Sequence, residues 1–143
     1  MIVVDASLAT KWFLKEADSP AALTFLAANH GEIVGPDLLC VEVCSALVAA
    51  SNMGRIAKPA ARMKIAEWLQ ALDRGNVPLR ALDTRILERG ADIALALGHP
   101  LADCLYLALA LETGADLATC DAKFAAKARI TYPSIKLLSD YPD

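Results

Sequence analysis

Four carboxylates in this chain stand where an ordinary soluble protein has little use for them. Asp5 and Asp121 each follow directly on a short apolar run, Ile2-Val3-Val4 and Leu117-Ala118-Thr119-Cys120. Glu42 and Asp103 fall inside apolar helical stretches. At helical spacing Asp103 has Tyr106, Leu107 and Ala110 as neighbours, and Glu42 has Leu38, Leu39, Ser45, Ala46 and Ala49, so neither acid shares a solvated stripe. An ionised carboxylate buried without a partner is costly, and one hard cation shared by all four would compensate them together. An oxygen-only donor set suits Mg²⁺ or Mn²⁺, whereas Zn²⁺ would call for His and Cys. Such ions activate a water and stabilise in-line displacement at phosphorus. Thr119, two residues before Asp121, and Ser7, two after Asp5, are hydroxyls placed to orient a carboxylate or a bound water. They read equally well as ordinary strand-end and helix-start hydroxyls.

Each acid also has a plainer reading. Asp5 and Asp121 precede helices, where Asp is a favoured N-cap. Taken singly, Glu42 and Asp103 would be explained by an ion pair to a buried Arg or Lys. Asp37 is accounted for as a helix cap, and Asp116 and Glu112 as solvated ends of elements. His99 lies four residues before Asp103, but no nucleophile completes a Ser/His/Asp arrangement with it. His30 reads as a surface residue at a helix end.

The elements that must carry these acids alternate regularly. Met1–Val4, Glu32–Gly35, Val77–Ala81, Asp116–Cys120 and Ile135–Leu138 read as short strands, the last at a sheet edge. Between them helices are predicted from Asp5 to about Leu14, over Pro20–Ala28 with Ser19 as cap, and over Leu38–Met53 with Gly54 just beyond. Further helices span Lys58–Asp73, Thr84–Leu97 between Asp83 and Gly98, a segment opened by Pro100, and Ala122–Arg129. Strands alternating with helices predict an α/β three-layer sandwich around a mostly parallel sheet. Residues 1–143 are expected to form a single domain, with no repeat, linker or low-complexity segment.

Composition excludes several classes. Hydrophobic residues make up 56% of the 143 and mean hydropathy is +0.39, yet the longest unbroken apolar run is Cys104–Leu111, far short of the ~20 residues a spanning helix needs. No basic region precedes the first apolar residues, so no secretory signal is expected. The apolar excess predicts helices on both sheet faces together with a sizeable partner interface, for which Met63 and Trp68 are candidates. Cys40, Cys44, Cys104 and Cys120 show no CxxC spacing and are expected to be buried free thiols in a reducing cytoplasm. The net charge of −3 does not advertise a nucleic-acid partner, but an acidic cluster that holds metal can coexist with a local basic patch. GxGxxG and GxxxxGK[ST] loops are both absent.

At these acids the sequence resembles the PIN-domain ribonucleases, specifically the VapC-type toxins of toxin–antitoxin pairs. The resemblance rests on VVDAS around Asp5 with KWFLKE after it, PDLLCVEVCSAL around Glu42, PLADCLYLALA around Asp103, and LATCDAKF around Thr119 and Asp121. It implies a sheet of order 3-2-1-4-5 with helices on both faces and a Mg²⁺- or Mn²⁺-dependent endoribonuclease leaving a 5′-phosphate and a 3′-hydroxyl. It also implies a cytoplasmic homodimer neutralised by a cognate antitoxin protein. Carried over, Asp5, Glu42, Asp103 and Asp121 would be the catalytic and metal-holding quartet, Asp121 the least direct, with Thr119 as polar helper. RNA would meet either Lys11 and Lys15 beside Trp12 and Phe13, or the basic stretch Arg55, Lys58, Arg62 and Lys64. The competing reading makes these cations solvated faces and Trp12 part of the core or an interface. The alternative functions are a receiver-like signalling module, which leaves Glu42 unexplained, and a non-catalytic PIN-like binding module.

Overall fold

Five apolar runs become strands and all of them pair in parallel. In the computed structural model, which describes residues 1–143, these are β1 (Ile2–Val4), β2 (Ile33–Pro36), β3 (Leu79–Arg80), β4 (Asp116–Thr119) and β5 (Ile135–Leu137). Their order is β3-β2-β1-β4-β5, as expected, and the sheet is wholly rather than mostly parallel. In register, Val3 lies between Val34 of β2 and Leu117 of β4, and Val4 opposite Ala118. Val3, Val4, Ile33, Val34, Leu117 and Ala118 are all buried, which is why these strands read as continuous apolar runs rather than as alternating patterns.

Seven helices connect them: α1 (Ala6–Ala9), α2 (Ser19–Ala28), α3 (Leu38–Asn52), α4 (Lys58–Asp73), α5 (Thr84–Leu97), α6 (Leu101–Thr113) and α7 (Ala122–Ala128). The chain steps from β1 to β3 in one direction, then back past β1 to β4 and β5 in the other. With right-handed crossovers this places α1 to α4 on one face and α5 to α7 on the other. The reversal falls between β1 and β4, whose carboxyl ends therefore open a crevice. Helix α6 is buried from Cys104 through Ala110 and packs across β1, β2 and β4.

Several local expectations change. The first helix ends at Ala9 and continues as a 3-10 turn over Thr10–Trp12. The third strand contracts to two residues, since Pro78 has no N–H to give a neighbour and offers only its carbonyl, to Gly35. Ser19 does not cap α2; its hydroxyl donates to the Leu14 carbonyl at 2.7 Å and accepts from the Glu16 N–H at 2.8 Å, closing the preceding turn. Asp37 makes no capping bond through its side chain. Glu112 is not a solvated end, because Arg89 and Arg85 reach it at 2.7 and 3.4 Å. Trp68 faces no partner: it is fully buried, donates from its ring N–H to the Cys40 carbonyl at 3.3 Å, and anchors Trp12 and Phe13 against it. All four cysteines are free, but only Cys104 is buried; the others are half-buried. No helix is long and apolar enough to cross a membrane.

Candidate active site at the carboxyl ends of β1 and β4

Elementary geometry brings the acids to one edge of the sheet. Asp5 follows β1, and Thr119 and Asp121 end and follow β4, the strand hydrogen-bonded beside it. Helix α3 leaves the carboxyl end of β2, so Glu42, in its second turn, stays near that edge. Helix α6 runs antiparallel to the strand it precedes, so its first turn, with Asp103, starts from the same edge. A helix N-terminus is also the end whose dipole favours an anion.

Asp5 is the most enclosed of the four, 5% exposed. Its Oδ1 accepts from the Ser7 hydroxyl at 2.7 Å and from the Leu8 N–H at 3.1 Å, capping α1, while Oδ2 accepts from the Thr119 hydroxyl. Burial pushes the Asp5 carboxyl up to about 6; the hydrogen bonds from Thr119, Ser7 and Leu8 pull against that, and the charge of Asp103 adds to the rise. Each hydroxyl has one proton and each gives it to Asp5. Their lone pairs in turn accept from the next strand end: Ser7 from the Cys120 N–H at 2.9 Å, Thr119 from the Asp121 N–H at 3.0 Å. Asp5 is thus cap and site candidate at once, and the two hydroxyls stitch β1 to the turn after β4.

The other three acids are less enclosed than their apolar neighbours suggest. Asp103 lies in the first turn of α6 with a side chain 35% exposed, so the expected stranded, buried charge is not what the fold produces. Its Oδ2 lies 2.6 Å from His99 Nε2. Glu42 is half-buried and its Oε1 accepts from the Tyr106 hydroxyl at 2.6 Å. Asp121, also half-buried, caps α7 by accepting from the Phe124 N–H at 3.0 Å. Tyr106 is 1% exposed; burial, the bond to Glu42 and the charges of Glu42, Asp5 and Asp103 all drive its ionisation far above the usual phenol range. One protonated phenol therefore sits within electrostatic reach of three of the four acids.

Sequence reasoning missed Tyr106 and His99 as partners of these acids. Tyr106 was signalled only as the one hydrogen-bonding side chain in the run Cys104–Leu111, and His99 only by its four-residue offset from Asp103.

The donor set fits a hard divalent cation in its chemistry, being anionic and all oxygen, and a cation would relieve the burial cost at Asp5. Convergence is incomplete: no three of the chain's His, Cys, Asp or Glu side chains stand together as they would around one ion. Glu42 and Asp103 each have one oxygen on a neighbour, Tyr106 and His99, and the other without a side-chain partner. The elements are assembled; the carboxylates have not closed on one point.

Beside this edge a cavity of about 460 Å³ runs from Ser7 and Cys120 to Lys11 and Arg55. Both cations are engaged: Lys11 Nζ reaches Glu16 at 2.7 Å and Asp18 at 2.8 Å, and Arg55 reaches Glu16 at 3.1 Å. Lys15, Arg55, Lys58 and Arg62 are exposed, whereas Trp12 and Phe13 are half-buried against Trp68.

A wholly parallel 3-2-1-4-5 sheet with acids gathered at its switch point defines a class of α/β protein with a strand-end acidic site. The model of the PIN domain matches residues 2–130, and the chain belongs to that family. Among solved structures, a toxin–antitoxin complex from Klebsiella pneumoniae superposes with a TM-score of 0.70 at 16% identity, covering 96% of this chain and 98% of that one. A protein from Pyrobaculum aerophilum gives 0.69 at 20% identity, covering 97% and 91%. The Mycobacterium tuberculosis toxin VapC20, described as cleaving the sarcin–ricin loop, gives 0.69 at 15% identity, covering 88% and 94%. At these identities the likeness establishes the fold. Comparison with curated protein sequences gives no match.

Proposed function

We propose that this PIN-domain chain is a divalent-metal-dependent endoribonuclease and the toxin of a toxin–antitoxin pair. The observation that carries the reading is the meeting of Asp5, Thr119 and Asp121 at the switch point, with Asp103's charge felt at Asp5 and Glu42 joined to the same group through Tyr106. Asp5, Glu42 and Asp103 would hold the ion, with Asp121 helping to place the attacking water. Bound Mg²⁺ or Mn²⁺ would supply Lewis acidity for hydrolysis of an RNA phosphodiester. The chain's own groups do the positioning. Ser7 and Thr119 keep Asp5 in one rotamer by giving it their only protons, and Tyr106 steadies Glu42 without ionising.

The toxin reading draws on the likeness to a chain described as part of a toxin–antitoxin complex and to VapC20. It also draws on apolar side chains left exposed on α3, its end and α4: Val41, Val48, Met53, Met63 and Leu69. We assign that surface to a homodimer or an antitoxin, and the chain's working compartment to the cytoplasm. The test is incubation of purified, antitoxin-free protein with total RNA and Mg²⁺ or Mn²⁺, beside Asp103→Asn. Metal-dependent cleavage lost in the variant is expected, with a fall of about a hundredfold or more in rate. Equal cleavage by both proteins, or none by either, would overturn the nuclease.

A further inference from the structure

The geometry points to His99 as the residue that positions Asp103. The inference rests on the nuclease reading above and deepens it. His99 lies outside α6, between Gly98 and Pro100, yet its ring is nearly enclosed, with a side chain 11% exposed. Helix α7 holds it there. The ring packs on that of Phe124, centroids 4.8 Å apart at 44°, and Phe124 is itself 1% exposed. One turn further along α7, Lys127 places its Nζ 3.4 Å from His99 Nδ1 and 3.4 Å from the Gly98 carbonyl.

These contacts assign the ring's hydrogen atoms. A lysine ammonium has only donors, so Nδ1 facing Lys127 is the acceptor. The neutral imidazole then carries its hydrogen on Nε2, and Nε2 donates to Asp103 Oδ2 across 2.6 Å. This is the one hydrogen bond the Asp103 side chain makes, so without it the carboxylate is a half-exposed group free to choose among rotamers. His99 therefore fixes one oxygen of the acid and leaves the other for a cation. It also ties Asp103 to Asp121, since the Phe124 that supports the ring gives its N–H to Asp121. Through a single ring, α7 sets both acids of the β4 side.

Mn²⁺ alone is the probe, titrated calorimetrically into wild type, His99→Ala, His99→Gln and Lys127→Met. Gln sets its amide nitrogen close to where Nε2 stands and keeps a donor; Ala keeps none. Removing an outer hydrogen bond to a metal ligand weakens binding by about 10- to 100-fold. That loss is expected for His99→Ala, with His99→Gln within a few-fold of wild type and Lys127→Met in between. In RNA cleavage, His99→Ala should lower kcat at limiting Mn²⁺, recover with excess Mn²⁺, and leave KM for RNA unchanged. Melting without metal separates out packing: a lower Tm with an unaltered Mn²⁺ Kd would make His99 a structural residue and overturn the inference. Equal loss in His99→Gln and His99→Ala would also overturn it, because ring packing rather than the donor would then matter. Should wild type itself bind no Mn²⁺, the metal-dependent nuclease falls and this inference with it. Normal wild-type binding with an unaffected His99→Ala removes only the inference.

Discussion

Asp5 is the acid whose surroundings least suit an ordinary carboxylate, and its titration is measurable. Its folded value of about 6 lies above the ordinary 3.8, so the folded state holds that proton more tightly than the unfolded chain. The associated stability is fully present below the unfolded value and is lost as pH rises through the folded one. In metal-free buffer, the stability of wild type relative to Asp5→Asn should therefore fall by about 2 kcal/mol between about pH 4 and pH 7. Urea unfolding across that range checks it, and parallel profiles for the two proteins would contradict it. That Asp5 stands at a strand end was readable from one apolar run ending in an acid. Its dependence on Thr119 was half readable, as a hydroxyl at a strand end. Tyr106 was not, because it meets Glu42 from 64 positions away and only the packing of α6 against the sheet brings them together. Nor was the role of His99: its four-residue offset from Asp103 was visible, but the α7 residues Phe124 and Lys127 that hold its ring in place are more than twenty positions away.

Among the elements, α6 bears most on the site, since it carries Asp103 and Tyr106, and its seating on α5 depends on Gly90. A Cβ built there would stand 2.7 Å from Leu105 Cδ2 and 3.4 Å from the Cys104 carbonyl. Leu105 can swing its terminal methyl aside, and alanine gains about 1 kcal/mol of helix propensity over glycine, so Gly90→Ala should be close to neutral. Gly90→Leu has no such escape and would wedge the helices apart, at about 1–3 kcal/mol. Its urea midpoint should drop accordingly with an unchanged slope, and RNA cleavage should fall as Asp103 leaves the sheet edge. A Gly90→Leu protein as stable as wild type would show that the α5–α6 seam is looser than its geometry implies. Helix α5 was legible to the residue because both its signals are local: Asp83 caps by accepting from the Ile86 N–H at 2.9 Å, and Gly98 takes the left-handed turn at φ +62°. Ser19 and Asp37 carry the same type of signal and were misread. One hydroxyl turns back to the Leu14 carbonyl, and Asp37 already has a helical backbone, with its N–H given to the Arg80 carbonyl across the sheet edge. Local hydrogen-bonding capacity is visible in a sequence; the competitor that takes it is not.

At the scale of the whole molecule, strand order brings to one edge of the sheet residues that are otherwise scattered. Reversal between β1 and β4 puts two strand ends side by side, and two helix N-termini approach them from opposite faces. The alternation of apolar runs and helices made the α/β class legible, and the acids' positions after strands made their common edge legible. The side-chain arrangement was not, since Glu42 and Asp103 have polar partners that only the assembled fold supplies. This gap between assembled elements and unconverged carboxylates has a thermodynamic consequence. Gathering acids at one edge of a chain already at −3 is self-repulsive, and Asp103 raises the cost of ionising Asp5. A ligand that binds the folded state alone adds RT ln(1 + [L]/Kd), or ~2.7 kcal/mol at a hundred times Kd. Millimolar Mg²⁺ or Mn²⁺ should therefore raise Tm by several degrees in wild type. Asp103→Asn should respond less, since it removes one donor and one charge. Monovalent salt at matched ionic strength separates site binding from general screening, because screening acts on every surface charge alike and would leave the variant's response close to wild type's. An unchanged wild-type melting curve across millimolar Mg²⁺ and Mn²⁺ would mean that the free oxygens of Glu42 and Asp103 do not converge with Asp5 on an ion, and that the edge is a hydrogen-bonded acid cluster rather than a metal site.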